Sequence, residues 1–257
     1  MIGRRVRILK FSLVILFTIS LAHSNSFPDV KAAITGVVVN GTLNFIPQKG
    51  QQVELLVFRG EQTEGEVLNS FITGRDGRFS FSNLDPEFKY QLSVEHKGVK
   101  YEDYYFDPDS SNFERDFKII VYDTTKSDDS IRVELHHIFL EAEEGVLSVR
   151  EILRINNPVN KVYVGSEKVS ENVYKTIKFH IPRGVMAVNP GFGLMQCCVY
   201  FDGEQFFDTM ELKPGVRDVS FSYIVPYSER ELDFIKTISY PSEAIEVLIS
   251  NPEVKVN

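Results

Sequence analysis

The chain has 257 residues, of which 43% are hydrophobic, 25% charged and 12% aromatic. This is the composition of an ordinary globular protein and excludes disordered and fibrous classes. The formal net charge is −8, and an acidic surface repels phosphate backbones and anionic lipid headgroups, which argues against nucleic acid and membrane surfaces as partners. Only two cysteines are present, so a disulfide-stapled scaffold is excluded and stability must come from packed cores.

The N-terminus is basic (Arg4, Arg5, Arg7, Lys10), then apolar from Phe11 to Ala22, then Ala22-His23-Ser24 before Asn25. A basic stretch, a short apolar run and a small-x-small site together predict a secretory signal peptide over residues 1–24. The apolar run is short of the roughly 20 residues a spanning helix needs. No cysteine follows it, which argues against a lipoprotein. Cleavage would remove four cations and no acids, moving the formal charge from −8 to −12. No later stretch reaches spanning length, so the expectation is an exported chain, periplasmic or secreted, soluble and with no membrane span once cleaved.

After residue 30 the periodicity is that of strands. Val53, Leu55 and Val57; Phe79 and Phe81; Tyr90, Leu92 and Val94; Ile177, Phe179 and Ile181; and Val219, Phe221, Tyr223 and Val225 each alternate with polar residues. Each set puts its apolar side chains on one face of a sheet. Asp76-Gly77, Lys97-Gly98, Asp202-Gly203 and Pro214-Gly215 supply glycines that accept the positive φ of tight turns. Only Ser228 to Ile238, with Leu232, Phe234 and Ile235, suggests a helical turn. The predicted class is all-β, two consecutive antiparallel sandwiches. The polar stretch Asp123 to Ser130 places the boundary, giving modules over 31–125 and 126–257, of about 95 and about 130 residues, ordinary sizes for one sandwich each.

The run Ile34-Thr35-Gly36-Val37-Val38, Val53-Glu54-Leu55, Thr73-Gly74-Arg75-Asp76-Gly77-Arg78-Phe79-Ser80-Phe81, Leu84 and Tyr90-Gln91-Leu92-Ser93-Val94 resembles the carboxypeptidase regulatory-like domains. The resemblance implies a Greek-key sandwich of seven strands, of the transthyretin-like and collagen-adhesin B-type kind, used as an accessory or spacer unit. Val121-Tyr122-Asp123-Thr124-Thr125, Pro214-Gly215 and Phe221-Ser222-Tyr223 resemble the β-rich segment that follows such domains in exported bacterial proteins of unassigned role. That likeness implies a C-terminal membrane anchor, which is absent before Asn257, so a shortened second module is expected.

Cys197 and Cys198 are adjacent. In an extended strand their side chains point to opposite faces, which forbids both a mutual bond and shared metal ligation unless the backbone turns there. Three readings stay open: packing, a strained or intermolecular disulfide, and soft-metal binding of the Cu(I) type with Met195 as a third ligand and Met186 and Met210 near along the chain. His136 and His137 face opposite ways in one strand, His180 faces solvent, and His96 shares the Tyr90, Leu92, Val94 face as a satisfied half-buried residue. No H-x-x-E or H-E-x-x-H zinc motif, G-x-S-x-G elbow or phosphate-cradling glycine loop occurs. Asp107-Pro108-Asp109-Ser110-Ser111 lacks the glycine and distal glutamate of a calcium loop and reads as a solvated turn. Asn40-Gly41-Thr42 is a glycosylation sequon by pattern. Tyr101, Tyr104 and Tyr105, beside Phe106 and several acids, are candidate ligand-stacking rings at a loop rim, against the alternative that alternate rings enter the core. The expectation is a non-enzymatic, cofactor-free exported protein that contacts an envelope or extracellular protein or a glycan. The alternative is a periplasmic copper or redox factor working through Cys197 and Cys198.

Overall fold

The computed structural model describes residues 32–108, 113–185, 187–228 and 232–250. The expected leader over 1–24 lies outside them, as do Asp109, Ser110, Ser111 and Met186. Within the described residues the regular structure is nearly all strand, with 3-10 turns at Gly41–Leu43 and Gln196–Cys198.

The first core lies between two sheets. One holds Ala32–Asn40 between Arg78–Leu84 and Glu114–Val121, with the short Ile46–Pro47 at its end. The other runs Glu66–Ile72, Gln52–Phe58, Lys89–His96, Val99–Phe106. Register follows from the period-two pattern: Val53 pairs Val94, Leu55 pairs Leu92 and Val57 pairs Tyr90. Apolar residues thus meet apolar residues on one face and bury together. Phe79 and Phe81 enter the same core with Ile34, Val38 and Ile119. Removing each such ring from water contributes about 1.5–3 kcal/mol. Asp76-Gly77 makes its turn, with Gly77 at φ 70. A Cβ there would sit 2.6 Å from the Val38 carbonyl oxygen, so glycine is required by space as well as by conformation.

The second core forms around a five-stranded sheet in the order Val188–Pro190, Gly215–Pro226, Val146–Asn157, Arg132–Glu143, Ile245–Ile249. A smaller three-stranded sheet, Lys178–His180, Gln205–Asp208, Val199–Phe201, contributes Phe179 and Phe206 to the same core. Their rings lie 4.7 and 5.3 Å from that of Phe221. Offset and tilted aromatic contacts of this kind add to burial.

Three features depart from the expected pattern. Ala32–Asn40 pairs parallel with Glu114–Val121, Arg132–Glu143 parallel with Ile245–Ile249, and Thr124–Thr125 parallel with Val162–Tyr163. A parallel pair needs a long crossover, so such partners are distant in sequence and leave no local signal. The segment 232–238, expected as a helical turn, is neither helix nor strand. Its spaced apolar residues Leu232 and Ile235 stay exposed while Lys236 enters the core. The chain runs from Val121 in the first core to Ile131 in the second, yet Val162 returns to pack fully buried in the first core while its neighbour Tyr163 packs in the second.

Candidate functional site

Two places concentrate chemistry. The first is sealed. Glu151 occupies an inward position of Val146–Asn157, on the face that carries Val149, Leu153 and Ile155, and is 0% exposed. Its carboxylate accepts hydrogen bonds from His136 Nε2 at 2.7 Å, Tyr223 Oη at 2.7 Å and Lys236 Nζ at 2.6 Å. Lys236 Nζ also donates to the His180 carbonyl at 2.6 Å and lies 5.6 and 5.7 Å from the ring centres of Phe221 and Tyr223. Burial on its own would push the Glu151 carboxyl up. The His136 hydrogen bond and the Lys236 charge outweigh it and hold the group below the ordinary glutamate range. Burial pushes the Lys236 amine down against the pull of Glu151, and burial beside Glu151 pushes the Tyr223 phenol far up, so it stays protonated.

His136 Nδ1 is buried with no partner among the described residues. His136 lines a cleft shared with Phe179, Lys236 and Ser239 that has room for about one water molecule. An acid, an imidazole and an amine converge here, in a cleft that has little free space among the described residues. What the arrangement does is fasten the 232–240 segment across the sheet, helped by Tyr240, whose hydroxyl donates to the Thr176 carbonyl and accepts from the Lys178 amide.

The second place is open. From Gly191 to Phe201 the chain leaves the large sheet, turns and enters the small one. Phe192 and Met195 are 55% and 53% exposed, and Tyr200, Phe201 and the adjacent Val216 are exposed as well. The base of this loop is fixed at many points. The Gly191 amide donates to the Ser220 carbonyl, and the Ser220 amide to the Phe192 carbonyl. Gly193 has φ 72, and a Cβ there would meet the Asp218 carbonyl oxygen at 2.0 Å. Arg217 donates to the Gly193 carbonyl through Nε at 3.0 Å and Nη2 at 2.6 Å, and reaches the fully buried Asp208 carboxylate at 2.7 Å. Asp208 in turn accepts from the Thr209 and Met210 amides, and Leu194 packs in the core.

Cys197 and Cys198 sit in this loop, in the 3-10 turn Gln196–Cys198 rather than in an extended strand. The turn brings the sulfurs to 2.8 Å instead of opposite faces. Thr209 holds the Cys198 carbonyl through its amide and hydroxyl, and the Cys198 amide donates to Met195. The bond to Cys197, with burial second, pushes the Cys198 thiol up to about 11. Both cysteines are free, Cys197 exposed and Cys198 half-buried. A linear two-coordinate ion with bonds of ~2.3 Å would hold its sulfurs ~4.6 Å apart, so a Cu(I) site here requires the pair to separate. Among the described residues no group of three or more His, Cys, Asp or Glu is placed to hold a metal ion.

The other candidates scatter. Tyr101 is buried and its hydroxyl accepts from the Tyr122 amide, Tyr104 accepts from the Ile120 amide, and only Tyr105 is open, against Phe58. The three rings therefore form no common platform. His136 is buried and His137 half-exposed on the other face. His96 bonds Gln51 and Asp123. Asn40 of the sequon is 1% exposed, its side chain spent on Asp123 and the Thr42 amide. The Glu151 cluster escaped sequence reasoning, although an acid at an inward position of an apolar face was a usable signal.

No protein-family profile matches the chain, and no curated protein matches it. Among solved structures it is similar to the Corynebacterium diphtheriae major pilin SpaA (10% identity over 79% of this chain and 64% of that one, TM-score 0.27). It is similar also to a streptococcal ancillary pilin (9%, 88% and 64%, TM-score 0.28) and to a DUF3823 family protein from Parabacteroides merdae (15%, 74% and 79%, TM-score 0.22). The chain spans less than two thirds of the length of these pilins. No helix among the described residues is long and apolar enough to cross a membrane.

Proposed function

We propose that this chain is an exported, non-enzymatic scaffold or binding protein that contacts an envelope or extracellular protein, or a glycan, through the loop 191–201. One observation carries the reading: the loop displays Phe192, Met195, Tyr200 and Phe201 to solvent while Arg217, Asp208 and Ser220 clamp its base. Aromatic side chains held in place lose little freedom on binding and serve well as contact anchors. Loops on a rigid sheet frame are also where binding residues concentrate. Among the described residues the Glu151 cluster is buried and works as an internal fastening.

The test is site-specific photo-crosslinking in the native host. A photoreactive phenylalanine analogue at Phe192 is expected to give a discrete adduct. The same group at the exposed Lys49, in the first sandwich, is expected to give none. Equal labelling at both positions, or no adduct at Phe192 together with no glycan retained on an array, contradicts the reading. So does turnover of any substrate in a broad hydrolase panel that a single point change abolishes.

A further inference from the structure

We propose that Cys197 and Cys198 form a reversible two-electron redox site, a vicinal dithiol that exchange with an external organic disulfide converts into a bridged turn. This goes beyond the binding reading and does not rest on it. The 3-10 turn holds the two sulfurs 2.8 Å apart at the surface, within a loop whose base is fixed. In a strand the same two residues would be redox strangers, so the turn is what creates the pair. The two thiols are also differentiated: Cys197 is open to solvent and Cys198 lies half-buried behind it, next to Asp208 and Arg217.

Cys197 Sγ, as thiolate, attacks one sulfur of the external disulfide, and the departing half leaves as a thiol carrying the proton that Cys197 gave up. Cys198 then loses its proton, and its sulfur attacks Cys197 Sγ and expels the second half as a thiol. Two electrons and two protons have passed from the chain to the external disulfide, which ends as two thiols. Adjacent Cα atoms lie about 3.8 Å apart, below the about 4.4–6.8 Å at which disulfides are relaxed, so the bridge is strained and open to reduction. Such disulfides are the labile ones. Closing it requires the backbone at 197–198 to move, and that backbone is the part held by Thr209 and Met195. Oxidation therefore reshapes the loop that presents Met195 and Tyr200.

The test equilibrates the purified chain with graded ratios of oxidised to reduced glutathione, quenches with acid, and reads intact mass and hydrogen exchange at the Thr209 amide. At intermediate ratios a species lighter by the mass of two hydrogens is expected, reverting with dithiothreitol. Its Thr209 amide is expected to exchange at least about tenfold faster than in the dithiol form. Cys198→Ser is expected to accumulate one glutathione on Cys197, because the resolving thiol is gone, and Cys197→Ser to take up far less. A wild-type protein that stays reduced at every ratio, or that collects as glutathione adduct or cross-linked dimer, overturns the proposal. Unchanged exchange at Thr209 in the bridged form overturns its coupling to the loop.

Discussion

Lys236 reaches the second core from a segment that is neither helix nor strand, and its ammonium meets Glu151 among aromatic rings. Deleting one partner of such a pair strands the other charge in a dry site. Lys236→Met is therefore expected to lower stability by about 3–5 kcal/mol. Adding Glu151→Gln to it should cost much less than the sum of the two single changes, because the stranded charge is removed. Urea denaturation of the singles and the double reads this directly, and strict additivity would contradict the coupling. The folded-state pKa of Glu151 is depressed, so its stabilisation is complete above the ordinary glutamate value near 4.5 and is lost as pH falls below it. Gly193 is a second residue-scale lever. Gly193→Ala would place a methyl into the Asp218 carbonyl at positive φ, and faster hydrogen exchange across 192–201 is the expected outcome, with the first core unaffected. At this scale the sequence was legible where the signal was local, as in Phe79 and Phe81. Lys236 was not legible, since its partner lies 85 positions away and nothing near it marks a buried cation.

Among the elements, the strands with strict alternation matched the structure because burial on one face and register across the sheet point the same way at Val53, Leu55, Val57 and at Tyr90, Leu92, Val94. The 197–198 turn was hidden. Its conformation depends on the bend at Gly193 earlier in the loop and on Thr209 and Arg217 acting from other elements, while Gln196 to Phe201 taken alone reads as extended chain. Asp123, at the start of the connecting stretch, shows how a loop residue can hold elements together. It accepts from Asn40, Lys97 and His96, its amide donates to Thr42, and its carbonyl accepts from Val162. The bond from Lys97, then that from Asn40, depress its carboxyl from 3.8 to about 2. A depressed folded value gives stability that is present above the unfolded value and lost as pH falls, here between 3.8 and about 2. Asp123→Asn is expected to flatten the stability profile in that window, seen as a smaller drop in Tm between pH 4 and pH 2 than in the parent chain, and an unchanged profile would contradict this role.

For the whole molecule, the β class and the presence of two cores follow from composition and periodicity, while the exchange at Val162 and Tyr163 does not, since a pair of residues carries no local mark of which core it joins. Val162→Ala is expected to destabilise the first core although it lies beyond the connecting stretch, detectable as faster exchange of the amides of Ile119 and Val121. In the proposed function a two-core frame presents the clamped loop 191–201 for binding. Crosslinking yield from a photoreactive group at Phe192, measured in the Arg217→Met background and in the Lys236→Met, Glu151→Gln double variant, tests it most directly. Loosening the clamp is predicted to cut the yield at least about fivefold, because the loop must then be ordered on binding, while neutralising the buried cluster leaves the yield of folded protein unchanged. A yield indifferent to Arg217, or one that vanishes with the cluster in protein that is still folded, would contradict the account.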